Sequence, residues 1–257
     1  MLIAGNVLRS EQVVDALPEL PGWTEPGGVW APGVLQRGAS FVLYYTTTDT
    51  ASGRQCISRA TAGKPEGPYE DLSSTPMICP VELGGAIDPS PFVGSDGRVF
   101  LLWKNDGNCC GVPSRIFAQQ LRDDGLEPTG PAVELLAATR SWEAGLVEAP
   151  SMVEHEDTWF LFYSANKWDT AAYAIGYATC VGPTGPCTKP LEGPWLAASD
   201  RAVGPGGQEL YLDDGGAHRM VFHAWEPDAV GYAAGGFRRL YTVGVRFVGG
   251  RAVTGDP

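Results

Sequence analysis

Short apolar runs separated by polar turns recur along this chain at a period of about 60 residues. The segment Glu148-Ala-Pro-Ser-Met-Val153 leads through the polar turn Glu154–Asp157 into Thr158-Trp-Phe-Leu-Phe-Tyr163. Two apolar strands joined this way read as a hairpin with one buried face. The same layout runs from Asp88 to Trp103, from Trp30 to Tyr45 and from Gln208 to His223. In each copy the second strand closes fifteen residues after the first opens, at 30/45, 88/103, 148/163 and 208/223. A fixed period of this kind marks an internal repeat.

Further strands repeat outside the hairpins. Ile57–Tyr69 matches Ile175–Cys187 at an offset of 118 residues, and Ile116–Leu121 reads as a third strand. Four strands per unit, repeated around an axis, predict an all-β propeller. The expectation is one domain over residues 1–257, with four complete four-stranded blades. Residues 1–29, with a strand at Asn6–Ser10, read as the remnant of an incomplete first blade. With 34 glycines, 21 prolines and little helical periodicity, less than about a tenth of the chain is expected to be helical.

Propeller geometry brings strand-opening residues to one end of the axis. Trp30, Asp88, Glu148 and Gln208 are therefore expected there, beside the strand-closing Tyr45, Trp103, Tyr163 and His223. Carboxylates among aromatic faces suit a sugar, because the rings stack on its C–H faces and the acids move protons. Trp225 reads as core packing. Glu154–Asp157 and Asp213-Asp214 read as solvated turns.

Charge narrows the partners. The net charge is −12, without a Lys/Arg cluster to neutralise phosphates, which disfavours nucleic acid. No apolar run reaches the ~20 residues a membrane helix needs. An oligo- or polysaccharide and a monomeric chain are the expectation. Residues 1–29 show no signal peptide. The six cysteines lack CxxC spacing and only three histidines accompany them, so a zinc site is not expected. Cys180 and Cys187 flank a tight turn, and Cys56 and Cys79 flank its counterpart two repeats earlier. Both pairs are expected as disulfides, which points to a secreted, extracellular protein. The adjacent Cys109 and Cys110 are not expected to bond.

The motifs Val29-Trp-Ala-Pro-Gly-Val34, Ala86-Ile-Asp-Pro-Ser-Pro-Phe92, Val147-Glu-Ala-Pro-Ser-Met152, Gly204-Pro-Gly-Gly-Gln208 and Phe222-His-Ala-Trp225 resemble, in order and spacing, those of glycoside hydrolase family 43. The resemblance covers nearly the whole chain. It implies a five-bladed propeller and an inverting hydrolase of arabinose- or xylose-containing glycans, most simply an arabinofuranosidase or xylosidase. It casts Glu148 as general acid and Asp88 as the residue that tunes and orients it. Trp30, Trp103, Tyr163, Gln208 and His223 become substrate contacts. The family's general base, an Asp in the first blade, has no counterpart, since Asp15 follows the Asn6–Ser10 strand. Poor turnover is the implied consequence, and a non-catalytic sugar-binding propeller is the alternative reading. A histidine that often lies near an axial metal is replaced by Gly207, so no metal or other cofactor is expected and an axial calcium lacks support.

Overall fold

A computed structural model of the chain describes residues 15–255. The strand expected at Asn6–Ser10 lies outside the described residues. Four sheets carry the fold, and in each the strands follow sequence order. The first consists of β1 (Trp30–Arg37), β2 (Ser40–Asp49) and β3 (Arg54–Ala62). The second holds β4 (Ala86–Val93), β5 (Val99–Asn105), β6 (Arg115–Gln120) and β7 (Val133–Ala137). The third holds β8 (Val147–His155), β9 (Thr158–Ala165), β10 (Ala174–Cys180) and β11 (Cys187–Thr188). The fourth holds β12 (Val203–Leu212), β13 (His218–Trp225), β14 (Arg238–Val248) and β15 (Arg251–Thr254).

Among the described residues, helix is confined to three-residue 3-10 turns such as Gly107–Cys109 and Ser141–Glu143. Three of the four sheets have the expected four strands. The first has three, and where a fourth would pair with β3 there is the isolated bridge Thr61↔Glu70. Residues 16–24 occupy the flank of this sheet. Ala16, Leu17 and Leu20 pack on Leu43, Tyr45, Ala60 and Tyr69, and Thr24 bridges Asp49.

The described residues fall into two compact units. One runs to residue 112 and includes 117–134; the other comprises 113–116 and 135 onward. In the first, Val42, Tyr44, Ile57, Val99, Leu101, Trp103 and Phe117 form a core of alternating strand residues. In the second, Phe160, Phe162, Ile175, Tyr177, Met220 and Phe222 do the same. Alternation supplies one apolar face per strand, and burying that face drives the packing.

Each inner hairpin has the same irregularity at its opening. Register shifts occur after Trp30, Ile87, Glu148 and Val203. The next residue in each case, Ala31, Asp88, Ala149 or Gly204, has a left-handed φ of 42°, 55°, 47° or 60° and precedes a proline. Such bulges re-aim side chains and are kept only where the surrounding structure fixes them. Gly33 shows how tightly β1 meets β4, since a Cβ there would stand 2.5 Å from the Pro89 carbonyl oxygen.

These bulges correct the alignment drawn from the fifteen-residue spacing. Trp30 opposes Thr46, Ile87 opposes Lys104, Glu148 opposes Ser164 and Val203 opposes Trp225. Asp88 therefore occupies the slot of Ala149, one residue beyond that of Glu148. Gln208 falls within a second bulge, between Gly206 and Glu209.

Cys56–Cys79 and Cys180–Cys187 are disulfides, with Cα atoms 4.8 and 4.0 Å apart. Cys109 and Cys110 are bonded as well, against the expectation from sequence. No helix of the described residues is long and apolar enough to cross a membrane.

Candidate active site

The predicted site residues divide between the two units. In the second unit the organising residue is Glu148, buried at the opening of β8. Its Oε1 accepts a hydrogen bond of 2.7 Å from the Tyr173 hydroxyl. Tyr173 stacks on His223, with ring centroids 6.3 Å apart and planes 12° from parallel. The Arg238 guanidinium lies over three rings, 5.2 Å from Trp225 and 5.5 Å from both Trp168 and Tyr173. Its Nη1 donates to the Trp168 carbonyl at 2.9 Å, and its Nη2 contacts His223 Nδ1. Burial pulls its pKa below the usual guanidinium range, against the opposing influence of Tyr173, Tyr232 and the carboxylates of Glu148 and Asp169.

Bare backbone makes room for this stack. A Cβ on Gly206 would stand 1.9 Å from the Tyr173 ring, and one on Gly207 would stand 2.2 Å from His223 Nε2. That explains the Gly-Pro-Gly-Gly run in β12. It also bears on the axial metal. Gly207 offers no ligand, its neighbour His223 faces a guanidinium, and a calcium needs six to eight oxygens. Among the described residues, the His/Cys/Asp/Glu groups close enough to hold an ion comprise Asp49, Cys56 and Cys79, whose sulfurs are joined to each other. Gly207 itself offers no side-chain ligand for a metal.

His223 is pushed down to about 4, first by burial and then by Arg238. It is therefore neutral in the folded chain at pH 7, and folding resists its protonation. Between about 6.5 and about 4 the unfolded chain takes up a proton that the folded chain refuses. Stability from this residue is complete above that window, falls through it, and levels off below. The full fall is on the order of 3 kcal/mol. Urea unfolding between pH 7.5 and 4 should show this slope, and His223→Gln should flatten it. An unchanged slope in the variant would remove His223 as its source.

Gln208 and Tyr163 are not open to a ligand. Gln208 is 3% exposed; its Nε2 donates to the Ala149 carbonyl at 2.5 Å and its Oε1 accepts from Ser164 Oγ at 2.6 Å. It braces the bulge that aims Glu148. The Tyr163 hydroxyl donates to Glu143 Oε1 at 2.7 Å, and Lys189 Nζ reaches the same oxygen at 2.5 Å. Burial alone would raise the Glu143 carboxyl; the N–H groups of Arg140 and Thr139, together with Lys189 and Tyr163, hold it below its usual range. This cluster pins the turn that leads into β8.

In the first unit Asp88 is half-buried in the β4 bulge. Beside it, Lys104 is fully buried and donates to Asn108 Oδ1 at 2.6 Å. Asp106 follows at the end of β5. Burial raises its carboxyl, Lys104 and Arg54 pull it down, and the Asp88 charge raises it again. Trp30 is 46% exposed at the start of β1 and is open to a ligand. Trp103 is 2% exposed and stacks on Phe117 at 4.4 Å, so it belongs to the core.

Sequence reasoning missed Tyr173 and Arg238. Both stand at or beside the opening of a later strand, β10 and β14, where the hairpin repeat gave no signal. The reading of Trp225 as core packing agrees with its full burial.

Repeated antiparallel sheets with the same bulge at each inner-hairpin opening, one of them holding a buried carboxylate, have the architecture of β-propeller blades. A thermostable family-43 glycoside hydrolase of known structure matches it with a TM-score of 0.80 at 26% identity, covering 92% of this chain and 77% of that one. An endo-1,4-beta-xylanase structure from Bacteroides thetaiotaomicron matches with a TM-score of 0.73 at 26% identity, over 90% and 76% of the two chains. The four sheets are blades of an all-β propeller. The model of the glycosyl hydrolases family 43 matches residues 9–243, and this chain belongs to that family. A beta-D-galactofuranosidase of Aspergillus niger is 29% identical over 78% of this chain and 58% of its own length. An extracellular endo-alpha-(1->5)-L-arabinanase of Bacillus subtilis is 24% identical over 77% and 61%. The chain thus spans less than two thirds of the length of these relatives.

Proposed function

We propose that this protein hydrolyses glycosidic bonds in arabinose- or xylose-containing oligo- and polysaccharides, with inversion at the anomeric carbon. Glu148 is the general acid that protonates the leaving oxygen. Asp88 is the residue that tunes and orients it. The single observation that carries the reading is the setting of Glu148, buried at a bulged strand opening, bonded to Tyr173 and beside Arg238. Trp30 and the Arg238–His223 group supply the sugar contacts, while Gln208 and Tyr163 act by positioning.

The names of the relatives support furanosides as first substrates, arabinofuranosides and also galactofuranosides. A fifth, incomplete blade and one propeller domain over the whole chain belong to the same proposal, as does a monomer. Secretion is supported by three disulfides, which persist in oxidising compartments, and by relatives named as extracellular.

The test is hydrolysis of aryl α-L-arabinofuranoside, β-D-xyloside and β-D-galactofuranoside, followed by proton NMR of the first sugar released. Inversion delivers the opposite anomer from the substrate. Release of the same anomer would overturn the inverting assignment, and the preferred glycoside would fix the substrate class.

A second reading, a sugar-binding propeller without turnover, is favoured by one observation. Asp15, the aspartate nearest in sequence to where the resemblance places the base, is exposed and accepts a hydrogen bond from the Leu17 N–H at 3.0 Å. Binding of these glycosides with no release of sugar would support it.

A further inference from the structure

The Cys109–Cys110 bridge has no evident place in the stability of the fold. A disulfide stabilises chiefly by closing a loop in the unfolded chain, and a bridge between adjacent residues closes none. Both residues are nevertheless exposed. Their location is fixed by β5, whose last residues Lys104 and Asn105 oppose Ile87 and Ala86 at the opening of β4. The chain leaves β5 at that end, beside Asp88, and turns at once through Gly107–Cys109.

The turn is closed by its own backbone bonds and tied to the opening of β4 and the end of β5. The Asp106 N–H donates to the Gly85 carbonyl at 3.1 Å, and the Cys110 and Val112 N–H groups donate to the Gly107 carbonyl at 3.0 and 2.9 Å. Lys104 holds Asn108 at 2.6 Å, next to the first cysteine. Arg54 Nη1 lies 2.6 Å from Cys110 Sγ and 3.5 Å from Cys109 Sγ, and the same guanidinium acts on the charge of Asp106. The two exposed cysteines thus sit on a turn tied to Gly85 and Lys104, which flank Asp88 in sequence and across the β4–β5 pair. Trp103, the aromatic nearest in sequence, is turned into the core.

An oxidised pair of sulfurs is itself apolar and polarisable, with the Arg54 guanidinium against one side of it, and it removes two exposed thiols that would otherwise react. The C–H face of a sugar ring needs a surface of this kind. We propose that the Cys109–Cys110 disulfide is a substrate platform on the Asp88 side of the first unit, on which the apolar face of a furanosyl or xylosyl ring rests. This rests on the glycosidase reading above.

The experiment compares the full chain with Cys109→Ala/Cys110→Ala and Cys109→Ser/Cys110→Ser. Binding of arabino- and xylo-oligosaccharides is measured by calorimetry in a Glu148→Gln background, and KM and kcat are measured in the active background. A platform predicts binding weaker by about tenfold, the loss expected for exposing part of one ring face. The serine pair should bind no better than the alanine pair. KM should rise more than kcat falls, and the melting temperature should stay within about 2 °C, since no loop is opened. Equal sugar binding by all three forms would overturn the platform and leave the glycosidase reading standing. Variants that melt much lower yet bind normally once folded would make the bridge structural and overturn the platform too. Failure of the parent protein to bind or cleave any of these sugars would overturn both.

Discussion

Glu148→Gln is expected to cut kcat on an aryl arabinofuranoside by about 10²- to 10⁴-fold, the usual contribution of a positioned general acid. The substitution keeps the shape and can still accept the hydrogen bond from the Tyr173 hydroxyl, so the fold should persist. What it removes is the proton delivered to the departing oxygen. The loss should therefore depend on the leaving group. With 2,4-dinitrophenolate, which departs without protonation, the variant should recover most of the rate; with a poor leaving group or a natural glycoside it should not. The limb of the pH–rate profile that reports the acid should vanish in the variant. Similar kcat values for variant and parent on a poor leaving group would remove Glu148 from the acid role.

The second large effect comes from a residue with no side chain. Gly206→Ala should destabilise the fold by about 1–3 kcal/mol, because the new methyl has nowhere to go. Its Cβ would stand 1.9 Å from the Tyr173 ring and must displace it. The ring carries the hydroxyl bonded to Glu148 and one face of the His223 stack. Losing a hydrogen bond to a carboxylate costs about 1.5–3 kcal/mol, or about 10- to 100-fold in kcat/KM if the bond positions the acid. Gly63→Ala is the control, since a Cβ there meets nothing within 4 Å. It should change stability by less than about 0.5 kcal/mol. Equal melting temperatures and activities for Gly206→Ala and its parent would show that the Tyr173 ring yields without cost.

Both effects bear on what a pattern of apolar positions can reveal. The repeat, the strand-rich fold and two of the disulfides follow from local sequence: alternation sets the strands, turn residues set the hairpins, and cysteines flanking a tight turn bond. Glu148 was legible because an acid at the mouth of a buried strand costs too much to be accidental.

The facing of the neighbouring side chains was decided only in three dimensions. Side chains alternate along a strand, so one extra residue in a bulge turns every later one to the opposite face. The fifteen-residue spacing paired Glu148 with Tyr163, but the bulge at Ala149 pairs it with Ser164. Tyr163 and Trp103 thereby point into the interior, and Gln208 becomes a brace for the bulge. Tyr173 and Arg238 come from strands outside the repeated hairpin, and only close packing on Gly206 and Gly207 brings their rings and charge to Glu148. Sequence by itself determined which strands form and which acid waits at their opening. Tertiary structure decided what surrounds that acid, because bulges and bare glycine backbone act on facing and distance, which a linear spacing does not encode.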